Sequence, residues 1–557
     1  MMNNMEEMES DDQSVKIYFD NDVDVELNKS YLIEHSAYFQ AMFSGYFVES
    51  QTGHKIHIKD ISHTGFMNVL NCLENKEVVF ESLEDLLLTL EVSQLLQFSF
   101  IYLQAAKIIE EKYLFTIYAI DVLPEVSKLG LQNIFDKARA FVLYNFRKIL
   151  KKNKVGFLSL NEGDLQSLLN SNSLNVGNEK DVFDLIIDWC LTNNNYNIEY
   201  ELVVSCVHFN QMTKKQLICC ISMTKNLNLQ NVIKPYIDFA KDEDEYIVSN
   251  VIRPFRCIPF GLCAVKNEDD GQSFIYRWDW TSMQFIKFIR LDPLPLDTTG
   301  YHVFAKDLDI YVLAGEIAFG RGTWNKEGWK YNLLTEKWKR LQNFYPTNRR
   351  HGVGCFCGND LYLIGGVTKH RLPNQIIEHY RYSRSRDTLV LVGNNECPYF
   401  RQRSNRKMFT SLEHNGTLAL ITKDKEPKWY DLNIVSPNRG GYKWNRRLID
   451  LNDEVVICAT SFNSMVYLLA YDENRIISLH TFCPMYEYTE KLKSFNILFD
   501  EATTMCALNH DKAMVFKNDT LECYSFYNDF FIEYKIQLNS FHSDYLFSVP
   551  IYLNKRF

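Results

Sequence analysis

The sequence predicts a multidomain fold: an α+β domain, then an all-α domain, then an all-β propeller of six blades. Three observations predict it. A short strand-and-turn pattern recurs six times down the second half, an aromatic spacing recurs in step with it, and residues 1–250 carry long apolar-periodic segments with few glycines.

The first thirteen residues, MMNNMEEMESDDQ, are acidic and lack an apolar run. They read as a disordered start (1–13) that is neither a signal peptide nor a mitochondrial address. VKIYF (15–19) and HKIHI (54–58) read as short strands around a helical LIEHSAYFQAMF (32–43). From 82 to 111, apolar residues fall at three- and four-residue intervals, which predicts two or more packed helices. Further helical stretches run through 116–151, 164–170, 180–193 and 197–224. A mixed segment followed by a helical one predicts an α+β domain over 14–112 and an all-α domain over 113–245.

The propeller is expected over 255–557. Its best strand is LYLIGG (361–366), in which apolar residues make a short buried strand and two glycines allow a sharp turn. Relatives of it are LCAVKN (262–267), IYVLAG (310–315), LALITK (418–423), VYLLAY (466–471) and AMVFKN (513–518), with start-to-start spacings of 48, 51, 57, 48 and 47. A period of about 40 to 50 residues with strand and turn signals marks propeller blades. In the better repeats an aromatic residue is followed seven positions later by another large apolar one: Trp278 and Phe285, Tyr331 and Trp338, and more weakly Tyr382 with Leu389 and Tyr524 with Phe531. In the fourth repeat the candidate partner of Tyr430 is Trp444, well beyond seven. These rings read as wedges between blades rather than a ligand cage, because buried rings contribute large apolar area.

Composition narrows the function. The 557 residues are 46% hydrophobic and 14% aromatic, enough for several cores. A net charge of −10 argues against general nucleic-acid binding, which needs a basic surface. No apolar run reaches the roughly 18 residues of a membrane span. Most of the fourteen cysteines sit inside apolar strands, as do Cys263, Cys458 and Cys506. The closest pairs, Cys219 with Cys220 and Cys355 with Cys357, belong to no Cys and His set with zinc spacing. Reduced cysteines in a reducing compartment, the cytoplasm, are expected, with no metal and no cofactor. There is no Gly-x-Ser-x-Gly elbow, no phosphate-binding Gly-Lys-Ser or Gly-Lys-Thr loop and no His-Glu-x-x-His helix, so no chemistry of the chain's own is expected.

The spaced glycines, tyrosines and tryptophans resemble the kelch repeat, with both glycines kept only in the third blade. VELNKSYLIEHSAYFQAMFSGYFVES (25–50) resembles the start of a BTB/POZ domain through Ser36, Tyr38, Phe39, Met42, Phe43, Glu49 and Ser50. Asn28 stands where that family has His and Ala37 where it has Pro. The family's leading helix and Cys-Asp are absent, with Gln13 and Ser14 in their place. LNVGNEKDVFDLIIDWC (174–190) resembles the BACK domain at Leu174, Val176, Glu179, Val182, Phe183 and Trp189, and ARAFVLYNF (138–146) resembles it less closely. BTB, BACK and kelch segments in that order resemble the kelch-like family, including its poxvirus members.

The resemblance implies an adaptor of a cullin-3 ubiquitin ligase: BTB and BACK bind cullin-3, the propeller binds a target protein, and the BTB domain makes a homodimer. It places the cullin contact after the helix that holds Met42 and Phe43, at Phe47 and Glu49, with a groove continuing over about Leu114 to Leu131. Two readings are open there: Phe47 protrudes as an anchor, or it tucks into its own domain. For the target it implies rim arginines, here Arg349 and Arg350, with Arg406 and Lys407 in the same phase of the fourth blade. From 349 to 407 eleven Lys and Arg face four acids, a local +7, which either steers an acidic partner or is a solvated face. The alternative class is a scaffold that acts by binding alone, either actin-associated or a viral protein that meets host proteins.

Overall fold

Strand pairing at the front follows the alternation of the first strand. Ser14–Tyr18 buries Val15 and Ile17, pairs antiparallel with Asp24–Asn28 and parallel with Lys55–His57. The edge strand, DVELN, buries nothing fully, but its Val25 and Leu27 alternate with exposed polar residues and pack against the core. The computed structural model describes residues 14–20, 23–46, 55–75, 80, 82–239, 256, 258–368, 372–383, 385–396, 409–423, 429–438, 441–462, 464–499, 503–509, 512–517, 520–525, 530–535 and 546–553. The chain divides into two compact units, Met1–Cys257 and Ile258–Phe557.

The helix expected over 32–43 is two helices, Lys29–His35 and Ala37–Met42, broken at Ser36. Asn28 caps the first, its Oδ1 accepting from the Ser30 N–H at 2.8 Å. Ser36 is extended, caps the second helix and donates its hydroxyl to the Leu96 carbonyl at 2.5 Å. Ala37 keeps an N–H, which a proline would lack, and donates it to the Gln97 carbonyl at 3.4 Å. Leu32, Phe39, Phe66 and Phe98 fill the core beneath.

The periodic stretch after residue 82 is the pair Leu83–Leu95 and Ser99–Ile108, separated at Gln97, whose φ is +54°. Helices Ala119–Lys128, Gln132–Lys152, Lys154–Leu158, Glu162–Leu169, Lys180–Thr192, Glu199–Cys206, Lys214–Met223 and Leu227–Phe239 follow. Trp189 is buried and donates its indole N–H to the Leu160 carbonyl at 2.8 Å, and Phe183 is fully buried.

The second unit is built from four-stranded antiparallel sheets. Each of the six repeated runs is the second strand of its sheet: Phe260–Asn267, Asp309–Leu313, Asp360–Ile364, Thr417–Lys423, Met465–Tyr471 and Lys512–Lys517. The last described strand, Leu546–Pro550, pairs with Phe260–Asn267 and so completes the first sheet from the far end of the sequence. The first strands of successive sheets, Leu546–Pro550, His302–Lys306, Val353–Cys357, Phe409–His414, Val455–Phe462 and Thr504–Asn509, approach one another in a closed cycle. Apolar clusters lie between neighbouring sheets. Val265 and Ile275 of the first pack with Ile310 and Tyr331 of the second, and Leu313 of the second packs with Leu361 and Tyr380 of the third. Tyr362 of the third packs with Leu420 of the fourth, and Ile421 and Tyr430 of the fourth with Leu468 and Phe482 of the fifth.

The seven-residue aromatic spacing is a hairpin register. Trp278 faces Phe285, Tyr331 faces Trp338, Tyr382 faces Leu389 and Tyr524 faces Phe531 across the third and fourth strands of their sheets. Trp278 and Phe285 lie 5.2 Å apart edge to face, and Tyr331 and Trp338 5.1 Å apart. Tyr430 instead faces Ile449, while Trp444 faces Val435. The strands Trp429–Asn438 and Gly441–Asp450 are long, which moves the register partner far beyond seven residues.

Candidate functional site

Two surfaces carry the candidate contacts. On the first unit, Met42 packs into the core and Phe43 is half-buried, stacked on Phe39 at 6.1 Å with the Lys29 ammonium 4.8 Å from its ring. Met42 is thus a core residue, while Phe43 keeps part of its ring exposed. The backbone turns at Gly45, φ +92°, and leaves Tyr46 90% exposed. Phe47 and Glu49 lie outside the described residues. The stretch Leu114 to Leu131 buries Leu114, Ile120, Leu123 and Val126 and turns Tyr118 outward. Exposed apolar side chains appear instead on Ser99–Ile108, where Phe100 and Leu103 stand one turn apart.

On the second unit, Arg349 and Arg350 are not free cations. Arg349 is fully buried, donating from Nη2 to Glu378 Oε2 at 2.7 Å and from Nη1 to the Gly365 carbonyl at 3.1 Å. Arg350 is buried against Glu316 Oε2. The expectation of exposed rim arginines is thus corrected: both charges are neutralised inside the fold, because an unpaired guanidinium is too costly to bury. Arg406 and Lys407 lie outside the described residues. Of the other cations in the basic stretch, Arg381 is paired with Asp360 at 2.8 Å, and Arg386 is exposed.

The Glu316 carboxylate organises the loop between Asp309–Leu313 and Gly328–Asn332. Burial pushes its pKa up, but hydrogen bonds from the Gly322 and Gly320 N–H groups and the Arg350 charge outweigh that and hold it below the usual range. The Gly322 bond is 2.7 Å. A small sheet, Thr298–Thr299, Glu316–Ile317 and Thr323–Trp324, stiffens the same loop, and the Ala318 N–H donates to the Asp297 carbonyl at 3.1 Å. At its tip Phe319 is 58% exposed, with the Arg350 guanidinium 4.4 Å from its ring. Arg321 and Lys326 are exposed on the same loop. Sequence reasoning missed this arrangement, and its available signal was an acid amid small and apolar residues, AGEIAFG.

Among the described residues no three His, Cys, Asp or Glu side chains are grouped to hold a metal ion, and no helix is long and apolar enough to cross a membrane.

An α+β front, a helical middle and a cycle of antiparallel sheets with buried ion pairs under its loops make this a modular, multidomain chain. Family models agree: BTB/POZ domain matches residues 3–113, and BACK, "BTB And C-terminal Kelch", matches residues 119–222. Kelch-like protein 25 of Homo sapiens is 22% identical over 364 residues, an alignment that covers 61% of this chain and 57% of that protein. These matches support a BTB-BACK-kelch family.

Proposed function

We propose that this chain is the substrate-recruiting adaptor of a cullin-3 ubiquitin ligase and acts by binding rather than catalysis. The observation that carries the proposal is the BTB and BACK pair followed by the cycle of sheets, an arrangement whose family generally serves cullin-3. In this reading the domains run 14–112, 113–245 and 255–557, and the six sheets are six propeller blades, the last described strand closing the first blade. Cullin-3 meets Phe47 and Glu49, with Met42 and Phe43 holding the turn from beneath and Phe100 and Leu103 extending the apolar contact. The target protein meets the loop face that carries Phe319, Arg321 and Lys326, so its matching surface is apolar with acidic groups around it. The BTB domain joins two copies, and the protein works in the cytoplasm.

The test is binding of the purified amino-terminal domain of cullin-3 to the full chain and to the Phe47→Ala, Glu49→Lys double variant. Wild type binds at micromolar concentration and the variant binds at least tenfold more weakly with an unchanged melting temperature. Absence of wild-type binding transfers the chain to the scaffold class. Light scattering across a wide concentration range tests the dimer, which is rejected by a mass that stays monomeric throughout.

A further inference from the structure

The function proposed above leaves the cysteine pair of the third sheet without a role. Cys355 and Cys357 occupy alternate positions of the strand Val353–Cys357, so both side chains project from one face. Their sulfurs lie 3.8 Å apart. Around them are Tyr362, Ile364, Leu418 and Leu420, the apolar filling between the third and fourth sheets. Cys357 is buried and Cys355 is half-buried. The hydrogen bond with the Cys357 thiol and burial push the Cys355 pKa well up.

The separation has chemical meaning. A disulfide needs its sulfurs at about 2.05 Å, far closer than these stand. A thiophilic atom with bonds of about 2.3 Å to each of two sulfurs, at a near-tetrahedral angle, holds them about 3.8 Å apart. Zinc satisfies that spacing but needs four ligands, and no third metal-ligating side chain joins the pair among the described residues. A centre that brings its own third substituent needs only two protein sulfurs.

We infer that Cys355 and Cys357 form a dithiol binding site for thiophilic centres of the trivalent organoarsenical type, which bridge two sulfurs. With phenylarsine oxide the step balances without an oxidant or reductant. The arsenic–oxygen bond and two S–H bonds break, two As–S bonds form, and both thiol protons leave with the oxygen as water; arsenic stays trivalent. Half-buried Cys355 reacts first, and Cys357, already at bridging distance, closes the ring. The other close pair is built differently. Cys219 and Cys220 are successive residues of the helix Lys214–Met223, and Cys220 turns inward to the Met212 sulfur at 3.9 Å.

The probe is phenylarsine oxide alone, added to the folded full chain and read by intact mass and peptide mapping. Expected is one phenylarsenic group, less two hydrogens, on the peptide that carries both cysteines. It should resist a monothiol and be removed by a dithiol such as 2,3-dimercaptopropanol. C355S and C357S should each lose the stable adduct, while a C219S/C220S variant keeps it. Should either serine variant misfold, the wild type decides alone: prior arsenical treatment must block alkylation of Cys355 and Cys357 by N-ethylmaleimide at least tenfold. An adduct that maps elsewhere, survives in folded C355S, or fails to form on wild type overturns the inference.

Discussion

Arg256 Nη2 lies 2.9 Å from Glu179 Oε1, and both side chains are 1% exposed. The same guanidinium donates from Nη1 to the carbonyls of Leu169 and Ser171, each at 2.7 Å, and from Nη2 to the Cys206 carbonyl. Glu179 also accepts the His208 N–H at 2.9 Å. One residue near the end of the first unit thereby ties together three helix ends that lie 50 to 87 residues before it in the sequence. Glu179 is among the residues that resemble the BACK pattern, and its place in the fold explains why an acid stands there.

Breaking that pair from either side leaves a buried charge without its partner. Arg256→Ala and Glu179→Ala are each expected to destabilise the first unit by about 3–5 kcal/mol. The double variant should cost clearly less than the sum of the two, because neither charge is then left alone. Urea unfolding of the full chain, followed by helical circular dichroism, measures all three.

Arg350 is expected to behave as a core residue. Arg350→Ala strands the Glu316 carboxylate and should cost about 3–5 kcal/mol. Arg350→Glu should cost more, since two carboxylates then meet at the base of the Phe319 loop. Differential scanning calorimetry checks this, and a melting temperature unchanged in either variant would return Arg350 to the surface.

At Gly366 the backbone has φ +90°, and an added Cβ would come within 2.8 Å of the Arg350 carbonyl oxygen. Gly366→Ala is therefore expected to lose about 1–3 kcal/mol through strain. Gly358, also at positive φ but with open space around its Cβ position, is the control and should lose less when changed to alanine. Chemical denaturation of both variants makes the comparison.

The fifth sheet predicts a pH dependence. Glu454 is buried, with Lys491 Nζ at 2.8 Å, His480 Nε2 at 2.9 Å and the Ser478 hydroxyl in contact. Burial alone would push its pKa up, but those hydrogen bonds, His480 first, outweigh it and hold the carboxyl at about 2. A carboxyl depressed in the folded state contributes stability that is full above its ordinary value of about 4.5 and is lost as pH falls toward about 2. Glu454→Gln should thus lower the melting temperature at pH 7, and its difference from wild type should shrink across that acid window. Thermal melts at half-unit pH steps follow it.

Much of this was readable from the chain because it depends on near neighbours. A strand such as LYLIGG declares itself through its own run of apolar residues, and each of its five relatives is a second strand for the same reason. Tyr331 and Trp338 were paired correctly since a tight hairpin turns seven residues into a register. Tyr430 was not, because its hairpin arms are ten residues each and its partner, Ile449, carries no aromatic signal.

By itself the sequence determined the order of the domains, the phase of six strands and the turn that follows Met42 and Phe43. Those follow from periodicity, capping and turn chemistry acting within a few residues. Only the tertiary structure decided what the charges do. Arg349 and Arg350 look alike and adjacent in the chain, yet they pair with Glu378, 29 residues later, and Glu316, 34 residues earlier. Whether a guanidinium meets water or a buried carboxylate depends on which strands the fold brings beside it, and the cost of burying a charge alone makes that partner obligatory.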